Sequence, residues 1–150
     1  MKRVQLIIFG IVFLMSLIAS ANDLTPSMVA TIYKVAKEAN IDANDLIRIG
    51  YVESRFKINA VRVNTNGTVD YGMFQINSVH WNTTCKGLNV MTFNGNVRCA
   101  VRLVKQAKLH SGHDSLWLAR YHSKTKSKKI LYTKLLKLVP YFELAEYNVK

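Results

Sequence analysis

Three short clusters hold most of the side chains that could do chemistry: Glu53-Ser54-Arg55-Phe56, Tyr71-Gly72-Met73-Phe74-Gln75-Ile76-Asn77 and Ala119-Arg120-Tyr121-His122-Ser123. Each has a bland explanation when taken alone. A glutamate close to Arg55 and Lys57 at a helix end is usually a solvated charge with loose ion pairs. A lone tyrosine is usually a core aromatic with its hydroxyl at the rim. A Gly-Met-Phe-Gln-Ile-Asn run is usually a buried turn. Together they offer one carboxyl group, one phenol and a set of amides. A carboxyl group can protonate a poor leaving oxygen near neutral pH only when its pKa is raised, which apolar surroundings do. Val52, Phe56, Met73 and Phe74 are apolar neighbours of that kind for Glu53. A glycine at position 72 lets the backbone approach a ligand closely or take a positive φ. Amides such as Gln75 can serve a polar ligand as both donor and acceptor. A second carboxylate to act as nucleophile or base beside Glu53 is harder to find. Only Asp70 lies near a cluster.

The elements that must position these groups follow from periodicity. Thr25-Pro26 is a cap and first-turn pair, and Met28, Val29, Ile32, Tyr33, Ala36 and Ala39 recur at helical spacing until Asn40. A second helix spans about Ala43 to Ser54, capped by Asp42 or Asn44, with Leu46, Ile47, Gly50 and Val52 toward the core. Glu53 falls in its last turn. Val61 and Val63 alternate with polar residues, Asn66-Gly67 is a hairpin turn, and Val69 and Tyr71 resume the alternation. Gly72 to Trp81 reads as a short helix and the stretch from Cys85 to Cys99 as loop. Helical spacing returns from Asn96 to about Leu109, again from Leu116 to Tyr121, and from Ile130 until Pro140. The result is one mainly α domain with a small β element.

The three clusters, in this order, resemble the motif series of soluble-type lytic transglycosylases, enzymes with a goose-lysozyme-like catalytic domain. The resemblance spans roughly residues 25 to 135. Arg120-Tyr121-His122-Ser123-Lys124-Thr125 is most similar to the small enzymes of type IV secretion and conjugation systems, although Lys126 stands where that branch often has proline. The resemblance implies an all-α, lysozyme-like domain with a small β element. It implies peptidoglycan glycan strands as substrate, cut between N-acetylmuramic acid (MurNAc) and N-acetylglucosamine (GlcNAc) with formation of a 1,6-anhydro product. It assigns Glu53 as catalytic acid and base, Tyr121 as its hydrogen-bond partner, and Ser54, Gly72, Met73, Gln75 and Asn77 to the glycan groove; His122, beside Tyr121, is a candidate groove residue with a partly buried surface histidine as the alternative. It gives Asp70 no catalytic role. One carboxylate suffices when the substrate's own C6 hydroxyl attacks C1, because intramolecularity makes that hydroxyl effectively concentrated. No cofactor or metal is implied. A water-using muramidase and a non-catalytic wall-binding assembly factor are the alternatives.

The start of the chain carries a different signal. Met1-Lys2-Arg3 precedes an apolar run from Val4 to Ile18, and Ala19-Ser20-Ala21 is a small-x-small cleavage pattern. Residues 1–21 are expected to be a signal peptide cleaved after Ala21, with an uncleaved anchor as the competing reading. Residues 22–150 then form the catalytic domain, periplasmic or secreted. The formal net charge is +12, of which Lys2 and Arg3 leave with the leader. Such a charge attracts polyanions; export argues for a wall polymer or an anionic membrane surface rather than nucleic acid. The Lys-rich segment from Lys124 to Lys137 could dock to wall carboxylates, lipid or a secretion component, or be a solvated helix face. Cys85 and Cys99, the only cysteines, suggest a disulfide in an exported chain, worth roughly 3 kcal/mol on the chain-entropy model. Two buried thiols are the alternative; His110 and His113 do not complete a zinc set.

Overall fold

The structure is a computed structural model, and it describes residues 24–111 and 115–141. The expected leader, its cleavage after Ala21 and the end of the C-terminal segment lie outside the described residues. Helix α1 (Pro26–Glu38) begins where the Thr25 hydroxyl accepts from the Met28 N–H at 3.3 Å. It buries Val29, Ile32, Val35 and Ala36, and the chain leaves it at Asn40, whose φ is 54°. Helix α2 (Ala43–Ser54) is capped by Asp42, which accepts from the Asn44 N–H at 2.9 Å. That settles the choice between the two cap candidates. Leu46, Ile47 and Ile49 are fully buried between α1 and the remaining core. Each such side chain contributes about 1.5–3 kcal/mol of transfer free energy.

The hairpin is present as expected, with β1 (Val61–Val63) antiparallel to β2 (Val69–Tyr71). Its turn is closed by Asn64 N–H to Thr68 O at 2.8 Å and by Gly67 at φ 80°. The alternating valines do not face a core, however: Val61 is 58 % and Val63 72 % exposed. The buried residue of β2 is Asp70, which the cross-strand Arg62 neutralises with two hydrogen bonds at 2.7 and 3.1 Å.

The segment from Gly72 to Trp81, expected as a helix, is instead a tight turn, a third strand β3 (Ile76–Asn77) and one 3₁₀ turn (Ser78–His80). Gly72 at φ 78° and Gln75 at φ 47° reverse the chain twice, so no helical run can form. β3 pairs with β2, Asp70 opposite Asn77 and Tyr71 opposite Ile76, giving the sheet order β1-β2-β3. Helix α3 (Phe93–Leu109) starts earlier than its apolar spacing indicates, because the Thr92 hydroxyl caps the Gly95 N–H at 3.1 Å. Cys99, within α3, is bonded to Cys85 in the preceding loop. Leu116 to Tyr121 is a 3₁₀ turn over Trp117–Tyr121 rather than an α-helix.

Helix α4 (Lys126–Leu138) likewise begins earlier than expected, inside the lysine-rich segment. It turns Tyr132 and Leu136 inward and leaves Leu131, Leu135 and Leu138 exposed. Arg48 of α2 donates to the Leu136 carbonyl at 3.0 Å from Nε and 2.6 Å from Nη2. The Leu136 carbonyl also accepts from the Val139 N–H at 3.1 Å, and the buried guanidinium bonded to it fixes α4 against α2. Among the described residues, no helix is long and apolar enough to cross a membrane.

Candidate active site

Glu53 reaches a groove because α2 stops immediately after it. Arg55 and Phe56 take left-handed backbone, φ 54° and 66°, and their N–H groups return to the carbonyls of Tyr51 (2.8 Å) and Gly50 (3.3 Å). Two consecutive non-glycine residues in that region cost roughly 1–2 kcal/mol each. Burial of Phe56 edge-on against Tyr51, ring centroids 5.4 Å apart, offsets this. The reversal points the last turn of α2 at the sheet, and leaves the Glu53 side chain only 10 % exposed.

The floor opposite Glu53 is the turn from Gly72 to Asn77. Met73 and Phe74 are fully buried beneath it. Asn96 of α3 holds the turn: it donates to the carbonyls of Tyr71 (3.0 Å) and Val90 (3.2 Å) and accepts from the Phe74 N–H (3.0 Å). Glycine is required at 72 on two grounds, since its φ is positive and a Cβ there would run into the Asn96 carboxamide. Gln75 donates to the carbonyls of Gly72 (2.9 Å) and Ala60 (3.3 Å). Asn77 donates to Asp70 (2.7 Å) and the Thr68 hydroxyl (3.0 Å) and caps the 3₁₀ turn through Val79 N–H.

A groove of ≈ 530 Å³ runs between these parts. Glu53, Gln75, Asn77, Tyr121 and His122 all line it, so five of the eight anticipated residues meet around one space. The other three support it from behind. Met73 is inaccessible, packed below Gly50 of α2, and Ser54 donates to the Met73 carbonyl at 2.8 Å. Gly72 supplies backbone shape.

The expected hydrogen bond between Tyr121 and Glu53 is replaced. Tyr121 donates its hydroxyl to the Phe74 carbonyl at 2.7 Å, anchoring the floor. The phenol that donates to Glu53 Oε1, at 2.7 Å, belongs to Tyr132 of α4. Burial, with the Glu53 charge nearby, pushes both phenols well above the ordinary tyrosine value, so both remain protonated donors through the neutral range. His122 stacks on Tyr132, ring centroids 4.7 Å apart, and brings Nδ1 to 3.6 Å from Glu53 Oε1. The sequence signal for Tyr132 is thin: it is the aromatic residue on the buried face of a lysine-rich helix.

Asp70 also lines the groove. Burial raises its pKa, but hydrogen bonds from Arg62, Asn64 and Asn77 and the Arg62 charge outweigh burial and hold the carboxyl below the usual range. Its two oxygens are both engaged, Oδ2 by Arg62 and Oδ1 by Asn77. For Glu53, by contrast, the contacts from described residues, the Tyr132 hydroxyl and His122 Nδ1, both fall on Oε1. Among the described residues no cluster of three His, Cys, Asp or Glu could hold a metal ion.

A mainly helical domain with a three-stranded antiparallel sheet, carrying an acidic residue at a helix end above a groove, is a lysozyme-like fold, and sequence similarity agrees. The chain is 31 % identical over 77 residues to lysozyme-like protein 6 of Homo sapiens, covering 43 % of this chain and 52 % of that protein. It is 38 % identical over 61 residues to lysozyme C of Takifugu rubripes, 40 % of this chain and 41 % of the relative. A shorter match to lysozyme-like protein 6 of Bos taurus is 51 % identical over 37 residues, 25 % of each chain. The chain thus spans about half the length, or less, of these curated relatives. No protein-family profile and no solved structure matches it.

Proposed function

We propose that the chain is an exported lytic transglycosylase that cuts the β-1,4 bond between MurNAc and GlcNAc in peptidoglycan. The observation that carries the reading is the unequal state of the two groove carboxylates. Asp70 has both oxygens committed to Arg62 and Asn77, whereas Tyr132 and His122 both approach Glu53 at Oε1 alone. A single usable carboxylate suits the anhydro reaction. Protonated Glu53 gives its proton to the departing glycosidic oxygen as the C1–O bond breaks. The MurNAc C6 hydroxyl then forms a bond to C1, and the Glu53 carboxylate takes the hydroxyl proton, which restores the acid. The 2-acetamido group stabilises the cationic intermediate, Tyr132 orients Glu53, and Tyr121 fixes the floor facing it. Holding the attacking hydroxyl in place supplies much of the acceleration.

A muramidase is the second reading, favoured by the ionised Asp70 lining the same groove and by the names of the similar proteins. Hydrolysis would use Asp70 as stabiliser or nucleophile. Cleavage after Ala21 would deliver the enzyme to the periplasm, where local opening of the wall would serve a type IV secretion or conjugation apparatus. The basic, leucine-bearing α4 is the surface available for wall, lipid or partner contact.

Mass spectrometry of the soluble products of purified mature protein on sacculi tests the reading. Anhydro-muropeptides from wild type, their loss in Glu53→Gln by about 10³-fold or more, and retention of most activity in Asp70→Asn are expected. Reducing ends that vanish in Asp70→Asn would make it a muramidase. Wild-type product levels from Glu53→Gln would remove Glu53 from the chemistry, leaving a wall-binding factor.

A further inference from the structure

Charge is divided unevenly along the groove. On the hairpin side its walls are amides and hydroxyls, with Arg62 and Lys128 set against Glu53 and Asp70. Beyond Tyr121 and His122 the groove continues into a second arm of ≈ 500 Å³, which shares the walls His80, Leu103, Tyr121 and His122 with the first. This arm carries Arg120 and Lys124 and, among its described lining residues, no carboxylate. Lys124 is exposed and Arg120 half-buried. Burial and the Lys124 charge hold His80 below the ordinary histidine value, so it stays neutral near pH 7. Among the described lining residues of the arm, the lysine and arginine charges are those of Lys124 and Arg120.

A neutral polysaccharide gives these cations nothing to meet. The amino-sugar strand proposed as substrate is different, because its lactyl groups bear peptides with free carboxylates. We infer that the arm formed by Arg120 and Lys124 binds the carboxylates of the peptide branches, making the enzyme selective for strands that carry them. The inference rests on the peptidoglycan reading and deepens it. Arg120 is adjacent to Tyr121 in one 3₁₀ turn, so a branch held there is registered against the floor that faces Glu53. The guanidinium can grip a carboxylate with two parallel hydrogen bonds, and Lys124 adds a mobile point charge.

The test uses uncrosslinked peptidoglycan strands and the same strands with their peptide carboxylates converted to methylamides. Wild-type kcat/KM is expected to fall about tenfold on the capped strands, as two partly exposed charge contacts would give, and the difference should shrink as salt is raised. Lys124→Gln should lose about threefold, and Arg120→Gln with Lys124→Gln about tenfold, on native strands only. Lys124→Gln, at an exposed position, serves if the double variant folds poorly. Equal wild-type rates on both substrates, or equal losses on both in the variants, would overturn the inference while leaving glycan cleavage intact. Failure to cleave either substrate would overturn it together with the peptidoglycan reading.

Discussion

The turn from Gly72 to Asn77 and the hairpin from Val61 to Tyr71 face the same groove, yet they are held by different forces. The turn is fixed by neutral hydrogen bonds to buried backbone: Asn96 to Tyr71, Phe74 and Val90, Gln75 to Gly72 and Ala60, Tyr121 to Phe74. Beneath it Met73, Phe74 and Ile76 are completely enclosed. The hairpin has strands of three residues, and none of the apolar residues on its one face, Val61, Val63, Val69 and Tyr71, is fully buried. What ties it to the sheet is the Arg62–Asp70–Asn77 cluster and the Thr68 hydroxyl, which accepts from both Asn64 and Asn77. A low-dielectric interior strengthens hydrogen bonds, and water screens charges at a rim. The floor side of the groove is therefore built from buried amides. The hairpin side is built from partly exposed polar groups.

The most damaging way to break this difference is Asn96→Ala. The change strands the Phe74 N–H and the Tyr71 and Val90 carbonyls in a buried site, at about 1–3 kcal/mol for each group that water cannot reach. A loss of at least about 3 kcal/mol and a fall in melting temperature of about 10 °C or more are expected, read by circular dichroism or calorimetry. A drop of only one or two degrees would mean that the turn is held by its own backbone, and the contrast with the hairpin would disappear.

Tyr132→Phe asks whether α4 belongs to the rigid side. The variant keeps the ring stacked on His122 and removes only the donor to Glu53. A hydrogen bond to a charged group contributes about 1.5–3 kcal/mol. The expected outcome is a fall of about tenfold or more in kcat/KM on peptidoglycan, with a small change in melting temperature. Tyr121→Phe should instead act through the floor, lowering stability by about 1 kcal/mol as its bond to the Phe74 carbonyl is lost. Identical effects from the two phenols would show that the distinction between carboxylate holder and floor anchor is false.

Much of the helical frame was legible in the sequence because local signals are strong there. Thr25-Pro26 and Asp42 cap as their side chains dictate, and the apolar spacing of α2 carries Glu53 to its last turn. The hairpin was legible from Asn66-Gly67. The turn after Gly72 was not, since its shape depends on Asn96, distant in sequence, and on a positive φ at Gln75 that residue type does not announce. The early start of α3 was a capping signal, Thr92 before Gly95, overshadowed by apolar spacing. The groove residues divide the same way. Glu53, Gln75, Asn77, Tyr121 and His122, singled out in the sequence, line one groove, whereas Tyr132 reaches Glu53 only through the packing of α4, which Arg48 secures from α2.

The gentlest test separates the two regions by pH. Asp70 has a folded-state pKa held below the ordinary value by the hydrogen bonds of Arg62, Asn64 and Asn77 and by the Arg62 charge, against the opposing effect of burial. A depressed carboxyl contributes stability that is complete above its unfolded value of about 3.9 and is lost as pH falls through its folded value. The Arg62 side chain is 61 % exposed, so solvent screening keeps the contribution below about 1 kcal/mol. Wild-type melting temperature should therefore fall a few degrees further between pH 6 and pH 3 than that of Asp70→Asn. The neutral bonds of the turn have no such dependence, so hydrogen exchange in this range should loosen Val61 to Tyr71 before Gly72 to Asn77. Parallel melting curves for the two proteins would mean that the cluster does not hold the hairpin, and that its strands are kept in place by the β2–β3 pairing alone.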